Sequence, residues 1–455
     1  MSWNPPIARP AASSGSEPET TRPGICIDGH NLSLARGTGI ATYGRHLLSS
    51  LSAAGSPGDV LYGTLTRRTG DDAQDAARIA NMDQSDRIVG RATHFWRTAA
   101  SGLGRIAHPV SASTDAVWPA GRRPEAHRYW LAPSLYRYGH RAFKKYAVTT
   151  PVRFRAAREA PKPAVMHWTS PLPIQAVGIP NVYTFHDLIP VSHPHLTTGD
   201  PRVYLELCRA VARSADLIAV VSETTRQEVI ERLGVPEERV VNTYQAIHLP
   251  ADLPTKEQTA QELEEAFDLD WKGYFLHFGA IEPKKNLGRI IEAYLASGVP
   301  TPLVLVGARA WMSEGETALL DAIRRDGDPA AQRIRQYDYL PKEALTSLVR
   351  GARAMLFPSL YEGFGLPVLE SMAMGTAVLT STAGSLPEIS GGATLLVDAY
   401  DVSSMASSIR VLACDDDVIA DLETKGLTRS MSFSPEAYHS RLGTLYGKVG
   451  FTLTA

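Results

Sequence analysis

Short apolar runs alternate with longer amphipathic segments in the first half of the chain. The apolar runs are 25–28, 60–65, 164–167, 182–185 and 217–221, and the helical patterns among them are 40–51, 202–214 and 224–233. Short β-rich runs separated by helices are typical of a parallel sheet that is covered on both faces. The pattern therefore predicts an α/β domain over residues 24–254.

The alternation restarts after a polar, acidic stretch at 253–270, which we interpret as a linker that contains a helix. The later apolar runs are 274–278, 303–306, 354–358 and 377–381, and the helical patterns are 286–296, 341–351 and 366–374. A second α/β domain is predicted over 255–434. The last segment, 435–455, is predicted to be helical and to pack on either domain, including back on the first one.

Two stretches depart from this alternation. Residues 1–23 contain many prolines, serines and alanines and no apolar core, which predicts a disordered tail and not a signal peptide. Residues 66–163 are predicted to be an insertion in the first domain. Within them, residues 121–162 carry eleven lysines and arginines against two acidic residues, a net charge of +9.

This basic segment has two interpretations. An anionic membrane surface or a lipid diphosphate would be attracted to it, with about 1 kcal/mol from each lysine or arginine near the surface. Alternatively, it is a solvated surface whose aromatic side chains point into the core. These side chains are Tyr129, Trp130, Tyr136, Tyr138, Phe143 and Tyr146. The sequence leaves both interpretations open.

The composition is that of an ordinary globular protein. Its 455 residues carry 46 Lys and Arg against 48 Asp and Glu, a net charge of -2, and 44% are hydrophobic. This excludes a single small module, an acidic disordered chain and a uniformly basic surface for nucleic acid. Cys26, Cys208 and Cys414 show no spacing typical of zinc sites or disulfide frameworks, which favours a reducing cytoplasm. Because no apolar run approaches the roughly 20 residues of a membrane span, any membrane contact is expected to be peripheral, on the inner face.

The strongest chemical signal is segment 358–370, Pro-Ser-Leu-Tyr-Glu-Gly-Phe-Gly-Leu-Pro-Val-Leu-Glu, between a predicted strand and a predicted helix. Gly363 and Gly365 allow backbone amides to approach a ligand, and the helix N-terminus favours phosphate. Glu362 and Glu370 are suited to hold the hydroxyls of a sugar and of a ribose, so the ligand is predicted to be a nucleotide sugar. The alternative is a strand-to-helix turn whose glycines serve geometry alone.

A second signal, Phe-Gly-Ala-Ile-Glu-Pro-Lys-Lys-Asn at 278–286, also lies between a strand and a helix. Lys284 and Lys285 can bring positive charge to a diphosphate at the carboxyl edge of the sheet, where open α/β folds bind ligands. Loop lysines are otherwise ordinary solvated charge, but these two lie in the same predicted domain as the glutamate motif.

Together the two motifs resemble those of the retaining family 4 glycosyltransferases, particularly bacterial surface-polysaccharide mannosyltransferases. The resemblance covers most of 24–449 in element order and implies the B-type glycosyltransferase fold, an α/β fold of two Rossmann-like domains facing across a cleft. It implies that Glu362 contacts the donor sugar and Glu370 the ribose. The donor is also implied to contact Lys284, Lys285, Gly363, Phe364, Gly365 and Leu366. One departure is Ala280, where many members of the family have arginine.

In the first domain the resemblance points to further cleft residues. The Gly-rich loop 36–43 corresponds to a family loop near the acceptor and the donor diphosphate, and it contributes Gly37, Gly39 and Tyr43. His186 resembles the family histidine beside the reacting sugar carbon, although a histidine at a strand end is otherwise structural. Ser222 is expected either to face the acceptor cleft or to cap a helix.

The implied activity is a retaining, metal-independent hexosyl transfer from a nucleoside diphosphate sugar, with GDP-mannose as the suggested donor. The acceptor would be a hydroxyl of a glycan or lipid-linked saccharide in polysaccharide biosynthesis. The predicted catalytic residues are His186, Glu362 and Lys285, with no cofactor and no metal. Two Asp-x-Asp sequences, at 268–270 and 326–328, lie in polar stretches and are interpreted as loop charge.

Three other functions remain open at this point. A nucleotide-sugar epimerase of the same architecture would act without an acceptor. A non-catalytic sensor would bind the nucleotide sugar without turnover. A metal-dependent transferase would need one of the Asp-x-Asp sequences as its metal ligand.

Overall fold

The computed structural model describes residues 22–33, 39–56, 58–63, 66–67, 104–110, 116–117, 124–157, 160–250 and 252–453. The predicted disordered tail, apart from its last two residues, lies outside the described residues. The same is true of Gly37 and of residues 68–103 in the predicted insertion.

The first half of the chain forms a large sheet. Its strands are β1 Ile25–Asp28, β2 Gly58–Tyr62, β3 Thr66–Arg67, β4 Arg105–Val110, β5 Ala116–Val117, β6 Arg128–Leu131, β7 Thr150–Phe154, β8 Val165–Trp168, β9 Ile174–Ala176, β10 Asn181–Phe185, β11 Leu217–Val220 and β12 Val240–Asn242. In the described part of the chain, ten of them pair in the order β12-β11-β10-β8-β1-β2-β6-β4-β7-β9, and β3 pairs separately with β5. Among the described strands of the large sheet, only β4 and β6 pair antiparallel.

Helices cover both faces of this sheet. They are α1 Gly39–Ala53, α2 Leu135–Tyr146, α3 Ile189–Ser192, α4 Pro201–Ser214 and α5 Glu223–Leu233. The central strands β1, β8, β10 and β11 are buried along their whole length, as parallel strands between two helical layers must be.

The predicted insertion is in part a piece of the main sheet, which corrects the expectation from sequence. Strands β4, β6 and β7 and helix α2 all come from 66–163, and they extend the sheet beyond β2. The sequence of these elements does not show a clear strand or helix pattern, because arginines and lysines lie among the apolar positions. Arg128 at the start of β6, for instance, forms a buried ion pair with Asp59 at 3.1 Å. Of the six aromatic side chains in this segment, all but Tyr146 are buried.

The second half forms a smaller sheet that is parallel throughout its described strands. They are β13 Phe275–Phe278, β14 Leu303–Val306, β15 Ile334–Tyr337, β16 Ala354–Phe357, β17 Ala377–Ser381 and β18 Leu395–Val397, in the order β15-β14-β13-β16-β17-β18. The helices are α6 Lys256–Phe267, α7 Leu287–Ser297, α8 Glu314–Arg325, α9 Lys342–Gly351, α10 Leu366–Ala373, α11 Leu386–Ser390, α12 Val402–Cys414, α13 Asp416–Ser430 and α14 Pro435–Gly447. Two Rossmann-like units are thus confirmed.

The polar stretch 253–270 contains helix α6 and belongs to the second unit. Thr255 and Gln258 form a reciprocal capping box at the start of this helix. Leu263 and Phe267 are buried on its inner face. The connection between the two units is therefore the shorter segment before Thr255.

The chain passes between the two units twice. The first passage follows β12, and the second follows α13, through the short turn Met431–Phe433. The amide of Ile247 donates to the carbonyl of Phe433 at 2.9 Å, so the two passages are joined to each other. After the second passage α14 lies against α1 of the first unit. No described helix is long and apolar enough to cross a membrane.

Candidate active site

The predicted site residues lie at the carboxyl edges of the two sheets, which face each other. Lys284 and Lys285 follow β13, and the loop 358–365 follows β16, the neighbouring strand. His186 follows β10 of the first sheet. The two edges are in contact, since a Cβ atom on Gly363 would lie 2.1 Å from the carbonyl oxygen of His186. The fold thus brings the lysine pair, the glutamate motif and His186 together.

An ion pair joins the two motifs of the second unit. Lys285 Nζ lies 2.6 Å from Oε1 of Glu362, and the two side chains are 12% and 10% exposed. The ammonium group also lies 4.7 Å from the ring centre of Phe357. Burial by itself raises the pKa of Glu362, but Lys285 and Lys284 outweigh it and hold this pKa below its ordinary value. Glu362 is therefore an ionised carboxylate held in a fixed position.

Lys284 lies among three carboxylates. Its Nζ is 3.2 Å from Oε1 of Glu282. Burial lowers the pKa of Lys284, but the charges of Glu362, Glu282 and Asp187 more than reverse this and raise it. Both lysines carry positive charge into a partly closed site, and a diphosphate could replace the carboxylates as their partner.

The loop between the two glutamates is held by its neighbours. Ser385 Oγ donates to one of two carbonyls, lying 3.0 Å from that of Glu362 and 2.8 Å from that of Phe364. Gly365 has φ +108°, which a side chain would strain, and it precedes Pro367 in the first turn of α10. The amides of this loop therefore lie at a helix N-terminus, where partial positive charge favours an anion.

Glu370 lies one turn into α10 and is partly buried. Burial raises its pKa to about 7, and the positive charge of Lys342 opposes this. A desolvated carboxylate in this position is suited to accept hydrogen bonds from a diol.

His186 is fixed from two sides and is neutral. Its Nε2 lies 2.8 Å from the carbonyl oxygen of Thr169 and so donates to it. The ring of Tyr43 meets the imidazole edge to face, with ring centres 4.8 Å apart. Burial lowers the pKa of His186 to about 4. A general acid at neutral pH is therefore not its role, and Nδ1 remains as an acceptor.

The structure narrows the roles of three further predicted residues. Tyr43 is 2% exposed and does not face the cleft, because its hydroxyl is held by Thr184 Oγ1 at 3.0 Å. Ser222 is fully buried and caps α5 by accepting from the amide of Thr225, so the capping alternative applies. The side chain of Phe364 packs against Phe433 and Tyr244, which leaves only its backbone for a ligand. Gly39 begins α1, beside the undescribed residues 34–38.

Two residues of this site were missed from the sequence. Asp187 faces the lysine pair from the first unit, and its position directly after His186 was the available signal. Asn286 adopts φ +62° and donates to the carbonyls of Pro358 and Ala399 at 3.0 and 2.7 Å. It thereby fixes the lysine loop against the glutamate loop.

One aspartate of each Asp-x-Asp sequence has a local structural role. Asp268 ends α6 in a left-handed conformation and pairs with Arg335 at 3.2 Å. Asp328 accepts from the amide of Ala330 at the start of a short 3-10 turn.

Comparison with known proteins gives two family matches. Residues 272–415 match the model described as glycosyl transferases group 1, and residues 95–249 match that of glycosyltransferase family 4. The O-antigen chain mannosyltransferase B of Escherichia coli is 34% identical over 260 residues, 56% of this chain and 67% of that protein. The serotype-specific mannosyltransferase WbdA of Escherichia coli is 31% identical over 272 residues, but this chain covers 33% of its length.

Solved structures show the same fold at low identity. A sucrose-phosphate synthase from Thermosynechococcus elongatus has a TM-score of 0.62 and 19% identity, with 94% of this chain and 99% of that chain covered. Anabaena Alr3699/HepE in complex with UDP and glucose has a TM-score of 0.60 and 14% identity, with 93% and 99% covered.

Proposed function

The chain belongs to the family 4 glycosyltransferases of the B-type fold, and we propose that it moves a hexose from a nucleoside diphosphate sugar to a glycan or lipid-linked saccharide hydroxyl with retention. The observation that carries this proposal is the convergence of Lys284, Lys285 and the loop amides beside the ionised Glu362. In the proposed roles the lysines and amides bind the diphosphate, Glu362 orients the sugar, and Glu370 holds the ribose.

The proposed reaction breaks the bond from the anomeric carbon to the leaving phosphate and forms a bond to the acceptor oxygen on the same face. The acceptor proton passes to an oxygen of the departing diphosphate. Same-face attack is favoured because Glu362, the carboxylate proposed to orient the sugar, is held in an ion pair with Lys285 and is not free to act as a nucleophile. His186, which is neutral, would accept a hydrogen bond from a sugar hydroxyl.

We propose that the sugar is mannose and that GDP-mannose is the donor, since four relatives of 30–34% identity are named mannosyltransferases. A thermal-shift screen of nucleotide sugars tests this choice. Ligand at a hundred times its dissociation constant stabilises a protein by about 2.7 kcal/mol, which is enough to rank donors. Stabilisation by another nucleotide sugar, and not by GDP-mannose, would contradict the proposal.

The transfer itself is tested by mass analysis of products. Incubation with donor and an oligomannose acceptor should extend the acceptor by one hexose, and the anomeric configuration of the product reports retention. Isomerised donor without acceptor would indicate an epimerase, and binding without turnover would indicate a sensor. We propose that charge neutralisation comes from Lys284 and Lys285, so transfer should persist in chelator.

We also propose that the enzyme acts at the cytoplasmic face of a membrane. The end of α2 and the two residues that follow combine the exposed basic residues Arg141, Lys144 and Lys145 with apolar side chains, Tyr146 at 41% and Val148 at 44% exposure. Co-sedimentation with vesicles rich in anionic lipid should exceed that with neutral vesicles and fall in the variant K144E/K145E. The variant K425E, at an exposed lysine on helix α13, is the control. Equal binding to both kinds of vesicle would contradict the proposal.

A further inference from the structure

A continuous path of buried polar side chains runs from the last helix to His186. Tyr446 on α14 places its hydroxyl 2.6 Å from Nδ1 of His167, and Nε2 of His167 lies 2.7 Å from Oγ1 of Thr184. Thr184 Oγ1 in turn lies 3.0 Å from the hydroxyl of Tyr43. These four side chains are at most 2% exposed.

The protonation state of His167 requires the hydrogen bonds on its two sides to run in the same direction along the path. Burial lowers the pKa of His167 to about 3, so the imidazole is neutral and carries one N–H. It must donate at one nitrogen and accept at the other, which makes the hydroxyls of Tyr446 and Thr184 point the same way along the path. Because water does not reach these groups, removal of one hydroxyl leaves its partner buried and unsatisfied.

The path ends on the imidazole of His186. Thr184 precedes His186 by two residues and holds the hydroxyl of Tyr43, whose ring meets the imidazole at an interplanar angle of 88°. On the other side, Thr169 accepts from Nε2 of His186, and the Thr169 amide donates to buried Asp28 at 2.5 Å. The Thr169 carbonyl therefore sets the tautomer of His186, and the Tyr43 ring restricts the ring plane from the other side.

We propose that Tyr446, His167, Thr184 and Tyr43 are positioning residues for His186, so that docking of α14 on the first unit sets the geometry of the reaction centre. This inference rests on the proposed function, because it takes His186 as the group beside the donor sugar. The four residues act through the imidazole and do not contact the substrate. Since a displacement of about 1 Å can cost a hundredfold in rate, a loosened imidazole should affect turnover.

Substitutions at Thr184 separate the hydroxyl from the shape of the side chain. Thr184→Val keeps the shape and removes the hydroxyl, whereas Thr184→Ser keeps the hydroxyl. We expect Thr184→Val and Tyr446→Phe each to lower kcat roughly tenfold with donor KM unchanged, and Thr184→Ser to stay within about twofold of the wild type. Steady-state kinetics on the full chain measures both constants.

Tyr183→Phe is the matched control. Tyr183 lies on the same strand as Thr184 but on the other face of the sheet, and its buried hydroxyl donates to the carbonyl of Ile174 at 2.5 Å. Its loss should lower Tm about as much as Tyr446→Phe does, without lowering kcat. The double variant Thr184→Val/Tyr446→Phe should be no slower than its slower parent, because one break already interrupts the path.

A second readout does not depend on activity. The imidazole ¹⁵N spectrum of His186 should show one tautomer, protonated at Nε2, in the wild type and in Tyr183→Phe. In Thr184→Val the His186 signals should shift and broaden, because the Tyr43 ring beside the imidazole is no longer held by its hydroxyl. A wild-type spectrum and wild-type kcat in both Thr184→Val and Tyr446→Phe would overturn the inference. Absence of any sugar transfer by the wild type would instead refute the proposed function, and the spectra would still decide the positioning role.

Discussion

At the scale of single residues, Glu370 should make donor binding depend on pH. Its pKa is raised to about 7 by burial, and only the ionised carboxylate accepts two hydrogen bonds from a ribose diol. Donor KM should therefore rise as pH falls below 7, approaching tenfold per pH unit. Glu370→Gln should raise KM and remove this dependence. The measurement is donor KM between pH 5.5 and 8, and a flat wild-type profile would contradict the assignment.

The pair Lys285 and Glu362 allows stability and catalysis to be separated. Lys285→Ala leaves a buried carboxylate without its closest partner, so the free energy of unfolding should fall by about 3 kcal/mol and kcat by about a hundredfold. In Lys285→Ala/Glu362→Gln the stability should largely return, because the buried charge is gone, while kcat stays low. Urea unfolding and kcat are measured together. A double variant that regains activity would show that Lys285 acts only on the fold.

At the scale of elements, the contact of the glutamate loop with the end of β10 requires a glycine. A methyl group on Gly363 would lie 2.1 Å from the carbonyl of His186, which is backbone and cannot move aside alone. Gly363→Ala should therefore push the two units apart and lower kcat/KM by about a hundredfold or more. Gly315→Ala is the control, since nothing lies within 4 Å of its added methyl group on α8. Small-angle X-ray scattering should report a larger radius of gyration for Gly363→Ala than for the wild type, and no change for Gly315→Ala.

Some strands and helices can be predicted from the sequence pattern and others cannot. Buried parallel strands such as β13 and β16 are unbroken apolar runs and were found readily. Strand β6 and helix α2 were not, because their cores are interrupted by charges whose burial or exposure depends on distant partners. Motif spacing placed Lys285 and Glu362 at one edge, since parallel strands end together.

Side-chain orientation and distant partners could not be read from the sequence. Tyr43 was expected in the cleft, but its hydroxyl is turned inward by Thr184, which lies 141 residues away. Contacts between units are equally hidden: Glu388 on α11 accepts from the amides of Glu223 and Thr224, at the start of α5, at 2.7 and 3.2 Å. Such pairs depend on the finished fold.

At the scale of the whole molecule, buried neutral histidines should make stability fall in acid. Burial lowers the pKa of His277 to about 4, against an unfolded value of about 6.5. Between these values the unfolded chain binds more protons, so stability decreases as pH falls through this window. In His277→Gln no group at this position binds a proton on unfolding. The free energy of unfolding of the variant, relative to that of the wild type, should therefore rise by about 2 kcal/mol from pH 7 to pH 5. Urea unfolding of both proteins at both pH values measures this change. A difference in unfolding free energy that is the same at pH 7 and at pH 5 would contradict the prediction.

The return of α14 to the first unit has a consequence for synthesis of the chain. Domains generally fold as they leave the ribosome, the earliest one first. Here the last described strand of the first unit ends at Asn242, yet the hydrogen bond of His167 to Tyr446 cannot form until α14 has been made. At roughly 5–20 residues per second, the intervening stretch takes about 10–40 seconds to make. The unit translated first is therefore completed last, and until then it keeps an apolar face that chaperones can bind.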